Sequence, residues 1–223
     1  MLNAASYLLE ASPADLVAEN GAITVAGTDR MVTFRDVAHA VYSKVPALPP
    51  AAHDDLAATK TYDPVFGTTS SAAHVATVEI DPETFEVRTE QFAVAEDCGK
   101  LVNPMIVDGQ VHGGVAQGIG AALYEELIYD QEGQCTTASL VDYLVPTALE
   151  IPRMHVVHIE SLSPTTLGGF RGMGEGGTIG APAAVANAIT DALAPFGVEV
   201  NELPLTQERL FRLITAAQSE AKT

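Results

Sequence analysis

The 223-residue sequence has no tryptophan, two cysteines and few basic residues, with 11 lysines and arginines against 29 aspartates and glutamates. A net charge of −18 repels phosphate backbones and anionic lipid, which argues against nucleic acids as partners. No run of about 18 apolar residues is free of charges and glycines, so we expect no membrane span. The opening residues MLNAASYLLEASPADL include no lysine or arginine. This predicts no secretory signal, a cytoplasmic location, and Cys98 and Cys135 as free thiols.

Residues 1–58 are predicted to form an N-terminal portion containing helices and a hairpin. Residues 2–10 have helical spacing but no N-capping residue before them. The Asn20-Gly21 pair lies between apolar segments and is typical of a type I′ hairpin turn. Thr33 is suited to cap a second helix through its hydroxyl. The stretch 45–58 is rich in proline and alanine and is predicted to be a linker.

Residues 59–223 are predicted to form the larger C-terminal portion, and the predicted fold class of the chain is α+β, with mixed strands and helices. Alternating residues around an Asp-Pro-Glu-Thr turn predict a hairpin. The predicted strands lie at 74–80, 87–95 and 154–160, with a strand-turn-strand at 128–143. The predicted helices lie at 105–127, 182–193 and 207–217, the last capped by Thr206.

A glycine-rich segment around Glu175 carries the strongest chemical signal. The sequence GGFRGMGEGG, residues 168–177, has six glycines around one carboxylate. Glycines expose backbone N–H groups that can face an anionic ligand. A carboxylate there repels phosphate but suits a base beside a reacting oxygen. From these residues alone, a solvated loop is an equally good interpretation.

The predicted helix at 105–127 contains the second signal, DGQVHGGVAQGIG. Five interior glycines each cost about 1 kcal/mol relative to alanine, so close approach of another backbone or a ligand must compensate. Gln110 and Gln117 are polar exceptions in a small, apolar helix, and their amides could bind a polar organic cofactor. A buried glutamine bonded to neighbouring backbone is as probable. His112 is better explained by packing or surface exposure than by ligation.

These segments together resemble the xanthine dehydrogenase and aldehyde oxidase family, especially the large subunits of carbon-monoxide-dehydrogenase-type molybdenum hydroxylases. The resemblance rests on DCGKLVNPMIVDGQVHGGVAQGIGAALYEELIYD, DYLVPTALEIP and GGFRGMGEGGTIGAPAAVANAITDAL, in that order. TYDPVFGTTSSAAHVATVEIDPETFEV adds weaker support. The similar stretch runs from about Ala5 to about Phe211. It implies the fold of the family's C-terminal molybdenum-cofactor-binding domain.

The resemblance implies roles for individual residues. The family's GxGE motif falls on residues 172–175, which makes Glu175 the expected catalytic base beside the molybdenum. The GQ of a second motif falls on Gly109 and Gln110, and this glutamine is expected to contact the molybdopterin. The resemblance implies no metal ligand among these residues. The backbone expected to border the cofactor is that of Gly174, Gly176 and Gly177.

The same resemblance implies partners and a cofactor. The family's upstream cofactor loops and substrate-facing loop have no counterpart in this sequence. We therefore expect a molybdenum–molybdopterin site, with the cofactor in its cytosine dinucleotide form, completed by the upstream part of the molybdenum-binding subunit. Iron–sulfur and flavin subunits and a small-molecule substrate are the other expected partners, because no cysteine cluster here could hold iron and sulfur. The substrate itself is left open.

Three alternatives compete with this interpretation. The chain could be a non-catalytic truncated fragment or an assembly module that retains the fold, which its uncapped first helix favours. A nucleotide-binding module is disfavoured because the glycine-rich segment lacks a P-loop lysine and a strand-to-helix GxGxxG motif. A zinc site is disfavoured because the cysteines and histidines show no ligand-pair spacing.

Overall fold

The structure, a computed structural model, describes residues 1–43, 48–49, 52, 56–63 and 68–220. The chain divides into two units, Met1–Asp63 and Pro64–Thr223. Each unit has its own cluster of buried apolar residues. The predicted linker at 45–58 lies largely outside the described residues.

The first unit combines a three-stranded antiparallel meander with two helices. Asn20 and Gly21 have φ values of 49° and 80°, the two positive angles that a type I′ turn requires. The Thr33 hydroxyl accepts a hydrogen bond from the Asp36 N–H at 3.1 Å, so the predicted cap is confirmed. The elements are α1 (Leu2–Leu9), β1 (Leu16–Glu19), β2 (Ala22–Val25), β3 (Met31–Thr33) and α2 (Phe34–Ser43).

The second unit is a three-stranded mixed sheet with long helices. Its elements are β4 (Ser71–Ile80), β5 (Val87–Asp97), α3 (Pro104–Leu123), β6 (Arg153–Ile159), α4 (Ala181–Leu193) and α5 (Gln207–Glu220). Strands β4 and β5 form the predicted antiparallel hairpin, and β6 pairs with β5 in parallel. Parallel neighbours need a long crossover, and α3 lies in that connection. The predicted α+β class is confirmed.

One face of this sheet packs on α3 and α4. Phe92 and Val94 of β5 point to the same side and are almost fully buried. The helices bury residues four apart, as expected for one face of a helix. Within the described ranges, no helix is both long and apolar enough to cross a bilayer. The buried residues are Val111, Val115 and Ile119 on α3, and Ala181, Val185, Ile189 and Leu193 on α4.

Two predictions for the region after α3 are wrong. Helix α3 ends at Leu123 rather than Leu127, because the Tyr124 and Glu125 N–H groups both bond to the Gly120 carbonyl. The predicted strand-turn-strand at 128–143 is reduced to an isolated bridge between Tyr129 and Cys135. The Asp130 side chain accepts hydrogen bonds from the backbone of this turn, and the segment gains no strand neighbour among the described residues.

The α3 glycines explain how the helix approaches its neighbours. A Cβ on Gly114 would lie 2.7 Å from the Gly177 backbone, and a Cβ on Gly177 would lie 2.6 Å from the Val111 carbonyl oxygen. A Cβ on Gly118 would likewise overlap the Cβ of Ala181. The prediction of close backbone approach is thus confirmed for Gly114 and Gly118. At Gly113, by contrast, a Cβ would meet only open space.

These neighbouring glycines give a matched test of the packing. We expect Gly114→Ala to destabilise the chain by about 1–3 kcal/mol, because the added methyl group overlaps backbone that cannot move aside. Gly113→Ala should instead be neutral or stabilising by up to about 1 kcal/mol, since it only improves helix propensity. Urea unfolding of both variants measures the difference. Equal stabilities would show that α3 does not press on Gly177.

Candidate functional site

The glycine-rich segment is fastened to the end of β5. Gly99 and Phe170 form an antiparallel bridge, and the Arg171 N–H donates to the Cys98 carbonyl at 2.9 Å. The Arg171 guanidinium donates to the backbone oxygens of Ser161, at 2.9 Å, and Thr69, at 3.1 Å. These bonds join three separate stretches of chain. Arg171 therefore has a structural function at the start of residues 172–177, hereafter the glycine bend.

Helix α3 holds the glycine bend from the other side. The Gln110 side-chain Nε2 donates to the Gly174 carbonyl oxygen at 2.7 Å. Sequence analysis assigned this amide to a cofactor, whereas the structure uses one of its donors to position the residue before Glu175. Gly109, its neighbour, is exposed with no atom near its Cβ position. The two motif segments, around Gln110 and around Glu175, are therefore in direct contact.

Glu175 lies at the turn of the glycine bend and is exposed. Its carbonyl oxygen accepts hydrogen bonds from the N–H groups of Thr178 and Ile179, which closes the turn ahead of α4. The residue lines a cavity of about 400 Å³. The other residues lining this cavity include hydroxyl-bearing Thr68, Thr69 and Ser70, and the backbone of Gly172, Gly174 and Gly176.

Two residues that line this cavity have backbone N–H groups without an acceptor in the described part of the chain. Among the residues that the structure describes, the N–H groups of Gly174 and Glu175 donate no hydrogen bond. Gly176 also lines the cavity, whereas Gly177 is buried against α3. Unpaired backbone N–H groups on a tight turn favour negatively charged or oxygen-rich ligands.

His74 of β4 supports the glycine bend from the sheet. Its Nε2–H donates to the Gly176 carbonyl at 3.3 Å, and its ring packs edge-on against Phe92 at 5.8 Å. Burial lowers the pKa of His74, and the bond to Gly176 opposes that effect. Its Nδ1 is buried and has no partner among the described residues. The ring is thus a neutral support under the cavity wall.

A carboxyl group lies beneath the glycine bend. Glu96 is 0% exposed, and a Cβ placed on Gly176 would lie 2.9 Å from both of its carboxyl oxygens. Neither oxygen accepts a hydrogen bond from the described residues; the Ser70 hydroxyl lies nearby but outside bonding geometry. Burial raises the pKa of Glu96, helped by Asp97 and opposed by His158 and Ser70.

His158 lies beside Glu96 on the sheet and connects it to α3. The two residues are paired in the register of β5 and β6. The His158 Nε2–H donates to the Asp108 carboxylate at 2.7 Å, while its Nδ1 is buried without a partner in the described chain. Asp108 is half exposed, with 49% of its side chain accessible. A row of titratable groups therefore runs from the surface to the underside of the glycine bend.

Sequence analysis missed Glu96, His74 and His158 as residues of this site. A signal was present for Glu96, because the alternation Phe92, Val94 along β5 reserves the next inward position for an apolar residue. A carboxylic acid at such a position needs a partner or a function. The parallel pairing of β6, which brings His158 alongside, could not be read from local patterns.

Comparisons with known proteins identify the family of this chain. The profile of the family described as molybdopterin cofactor-binding domain matches residues 1–152. The chain is 44% identical over 209 residues to the nicotine 6-hydroxylase large subunit of Paenarthrobacter nicotinovorans, covering 93% of this chain and 26% of that protein. It is 33% identical to the carbon monoxide dehydrogenase large chain of Hydrogenophaga pseudoflava, with the same coverage of both.

A solved structure gives the same result. Quinoline 2-oxidoreductase from Pseudomonas putida 86 superimposes with a TM-score of 0.83 at 45% identity, covering 96% of this chain and 27% of that one. The chain thus spans about a quarter of the length of these relatives. By profile, sequence and fold, it belongs to the molybdopterin cofactor-binding domain family of molybdenum hydroxylase large subunits.

Proposed function

We propose that this chain forms one wall of the active site of a molybdenum hydroxylase and supplies Glu175 as the catalytic base. The observation that carries the proposal is the position of Glu175 at a cavity, on a turn fixed by Gln110 on one side and Arg171 on the other. A base must be held within hydrogen-bonding reach of the oxygen it deprotonates, so a fixed turn serves this purpose better than a mobile loop.

The residues present fit a molybdenum–molybdopterin cofactor. The free N–H groups of Gly174 and Glu175 are donors for its oxygen-rich parts, and the hydroxyls of Thr68, Thr69 and Ser70 line the same cavity. Gly174 and Gly176 would border it, and Gln110 retains an acceptor oxygen. We propose the cytosine dinucleotide form, following the resemblance to carbon-monoxide-dehydrogenase-type subunits. Mass spectrometry of the extracted nucleotide identifies the base.

When bound, the cofactor supplies the redox chemistry of hydroxylation, in which a substrate carbon gains an oxygen from water. Glu175 acts on protons: its carboxylate accepts the proton of the attacking oxygen and later releases it to solvent. Gln110 donates a hydrogen bond to the Gly174 carbonyl, which fixes the backbone next to Glu175 and so the position of its carboxylate. Neighbouring glycines leave room for reacting groups beside this side chain.

Further polypeptide would complete the site. Several large apolar side chains of the second unit are exposed, including Leu140 at 81%, Val141 at 85% and Leu149 at 92%. A surface that exposes such side chains in one stretch is typical of a protein interface. We propose that the upstream part of the molybdenum-binding subunit covers this surface, with iron–sulfur and flavin subunits accepting the electrons. The substrate is a small molecule, and the assembly is proposed to be cytoplasmic.

Replacement of the base tests the central claim. In the assembled, cofactor-loaded enzyme, Glu175→Gln should lower kcat by about 10²- to 10⁴-fold, because the amide cannot accept a proton. Molybdenum content should be unchanged, since the substitution keeps the size of the side chain. Steady-state kinetics and metal analysis measure the two quantities.

Glu132→Gln, at an exposed turn, is the matched control for this charge change and should leave kcat unaltered. Activity retained by Glu175→Gln in a loaded enzyme would exclude Glu175 as the base. Absence of molybdenum from a folded, cofactor-supplied assembly would instead favour the non-catalytic fragment.

A second substitution separates positioning from catalysis. Gln110→Ala removes the bond to Gly174 and should cost about 1 kcal/mol of stability and a smaller loss of kcat than Glu175→Gln. Gln117→Ala, on the same helix, is the control, because among the described residues its side chain makes no hydrogen bond. Equal activities of the two variants would show that the Gln110 bond does not position the base.

A further inference from the structure

The buried face of β5 ends in a carboxyl group, although the preceding residues on that face are apolar. Phe92 and Val94 continue the apolar core, and Glu96 follows at the next inward position with 0% exposure. An isolated carboxylate without hydrogen bonds in such a place costs several kcal/mol. A carboxyl group in this position therefore holds a proton itself or shares one with a neighbouring base.

His158 is the neighbouring base, but it does not share that proton. It is the register partner of Glu96 on the adjacent strand, yet neither its buried Nδ1 nor either Glu96 oxygen has a hydrogen-bond partner in the described residues. Its Nε2–H is fixed by Asp108 at 2.7 Å, which sets the orientation of the ring. Glu96 therefore keeps its own proton.

We propose that the protonated Glu96 carboxyl supports the glycine bend from below and positions it, and through it Glu175. The contact that transmits the effect is the van der Waals approach of the Glu96 carboxyl to Gly176, the residue after the proposed base. While Glu96 holds its proton, the bend lies directly on its carboxyl. Loss of this proton leaves an unpaired charge below Gly176, and the bend must lift to admit water.

Residues of α3 and β4 also contact the residues around Glu96. Asp108 connects His158 to solvent, and His74 holds the Gly176 carbonyl from β4. Charge on any of these groups acts on Glu96. The titratable groups that affect Glu96 directly or through one contact are His74 on β4, Asp97 and Cys98 on β5, His158 on β6, Asp108 on α3 and Glu175 on the bend.

The inference deepens the proposed function, on which its catalytic consequence rests. A base that moves with the bend loses contact with the reacting oxygen, so the assembled enzyme should lose activity at alkaline pH. Burial raises the pKa of Glu96, so its protonated form stabilises the fold at low pH and this stabilisation is lost as pH rises through the raised pKa. Glu96→Gln, which stays neutral, should remove both effects.

The experiment is an NMR titration of the cofactor-free, full-length chain. We expect the amide resonances of Gly176 and Glu175 to shift together with the Glu96 carboxyl carbon, well above the ordinary glutamate range. In Glu96→Gln this shift should disappear. In Glu90→Gln, on the outward face of the same strand, it should persist. Urea unfolding adds a second readout, because the folding constant should fall up to about tenfold per pH unit in wild type relative to Glu96→Gln.

Two results would overturn the inference. One is an ordinary titration of the Glu96 carboxyl in the wild-type chain, a measurement that requires no variant to fold. The other is a Gly176 shift that is the same with and without Glu96. In the assembled enzyme, Glu96→Gln should extend activity to higher pH with KM unchanged. Because the NMR titration needs no molybdenum, its outcome is independent of whether Glu175 is the base.

Discussion

The close packing of two glycines holds the site together. Gly114 of α3 and Gly177 of the glycine bend approach so closely that neither can carry a side chain. This contact brings a helix backbone against a turn backbone and so lets Gln110 reach the Gly174 carbonyl. Without it, the bend would lose its support on the α3 side. The position of Glu175 therefore depends on the absence of side chains elsewhere.

Three kinds of constraint converge on the same short turn. Arg171 fastens its start, Gln110 holds its middle and His74 holds the Gly176 carbonyl. Each is a hydrogen bond to backbone, so the turn is fixed without using the Glu175 side chain. That carboxylate is left at the cavity, where the proposed base can meet a substrate. The groups that support the turn are thus separate from the proposed base, an arrangement that keeps a reacting side chain precisely placed.

The polar groups beneath the glycine bend are buried, whereas those around the cavity are accessible. The rim carries hydroxyls and free N–H groups, whereas the floor contains Glu96 and the Nδ1 atoms of two histidines without partners in the described residues. A low-dielectric floor strengthens the effect of each proton on its neighbours. The proposed protonation of Glu96 and the proposed base at Glu175 lie on opposite sides of the bend and are separated only by the backbone at Gly176.

Local patterns in the sequence were sufficient for most elements. The Asn20-Gly21 turn requires only two residues with positive φ, and the hairpin of β4 and β5 follows from alternation around a tight turn. The cap at Thr33 is equally local. The turn, the hairpin and the cap depend on residues within a few positions of each other, which is why the sequence alone determined them. The ordered motifs also identified the family, because the match extends over most of the chain.

Features that depend on contacts between distant residues were decided only by the tertiary structure. Helix α3 stops at Leu123 because of bonds to the Gly120 carbonyl, and the segment after it forms no sheet because no strand of the described residues pairs with it. The parallel pairing of β6 placed His158 next to Glu96, although 61 residues separate them in the chain. Gln110 likewise found a backbone partner rather than open solvent. The sequence determined the family and the candidate residues, whereas packing of distant backbone determined which of them meet.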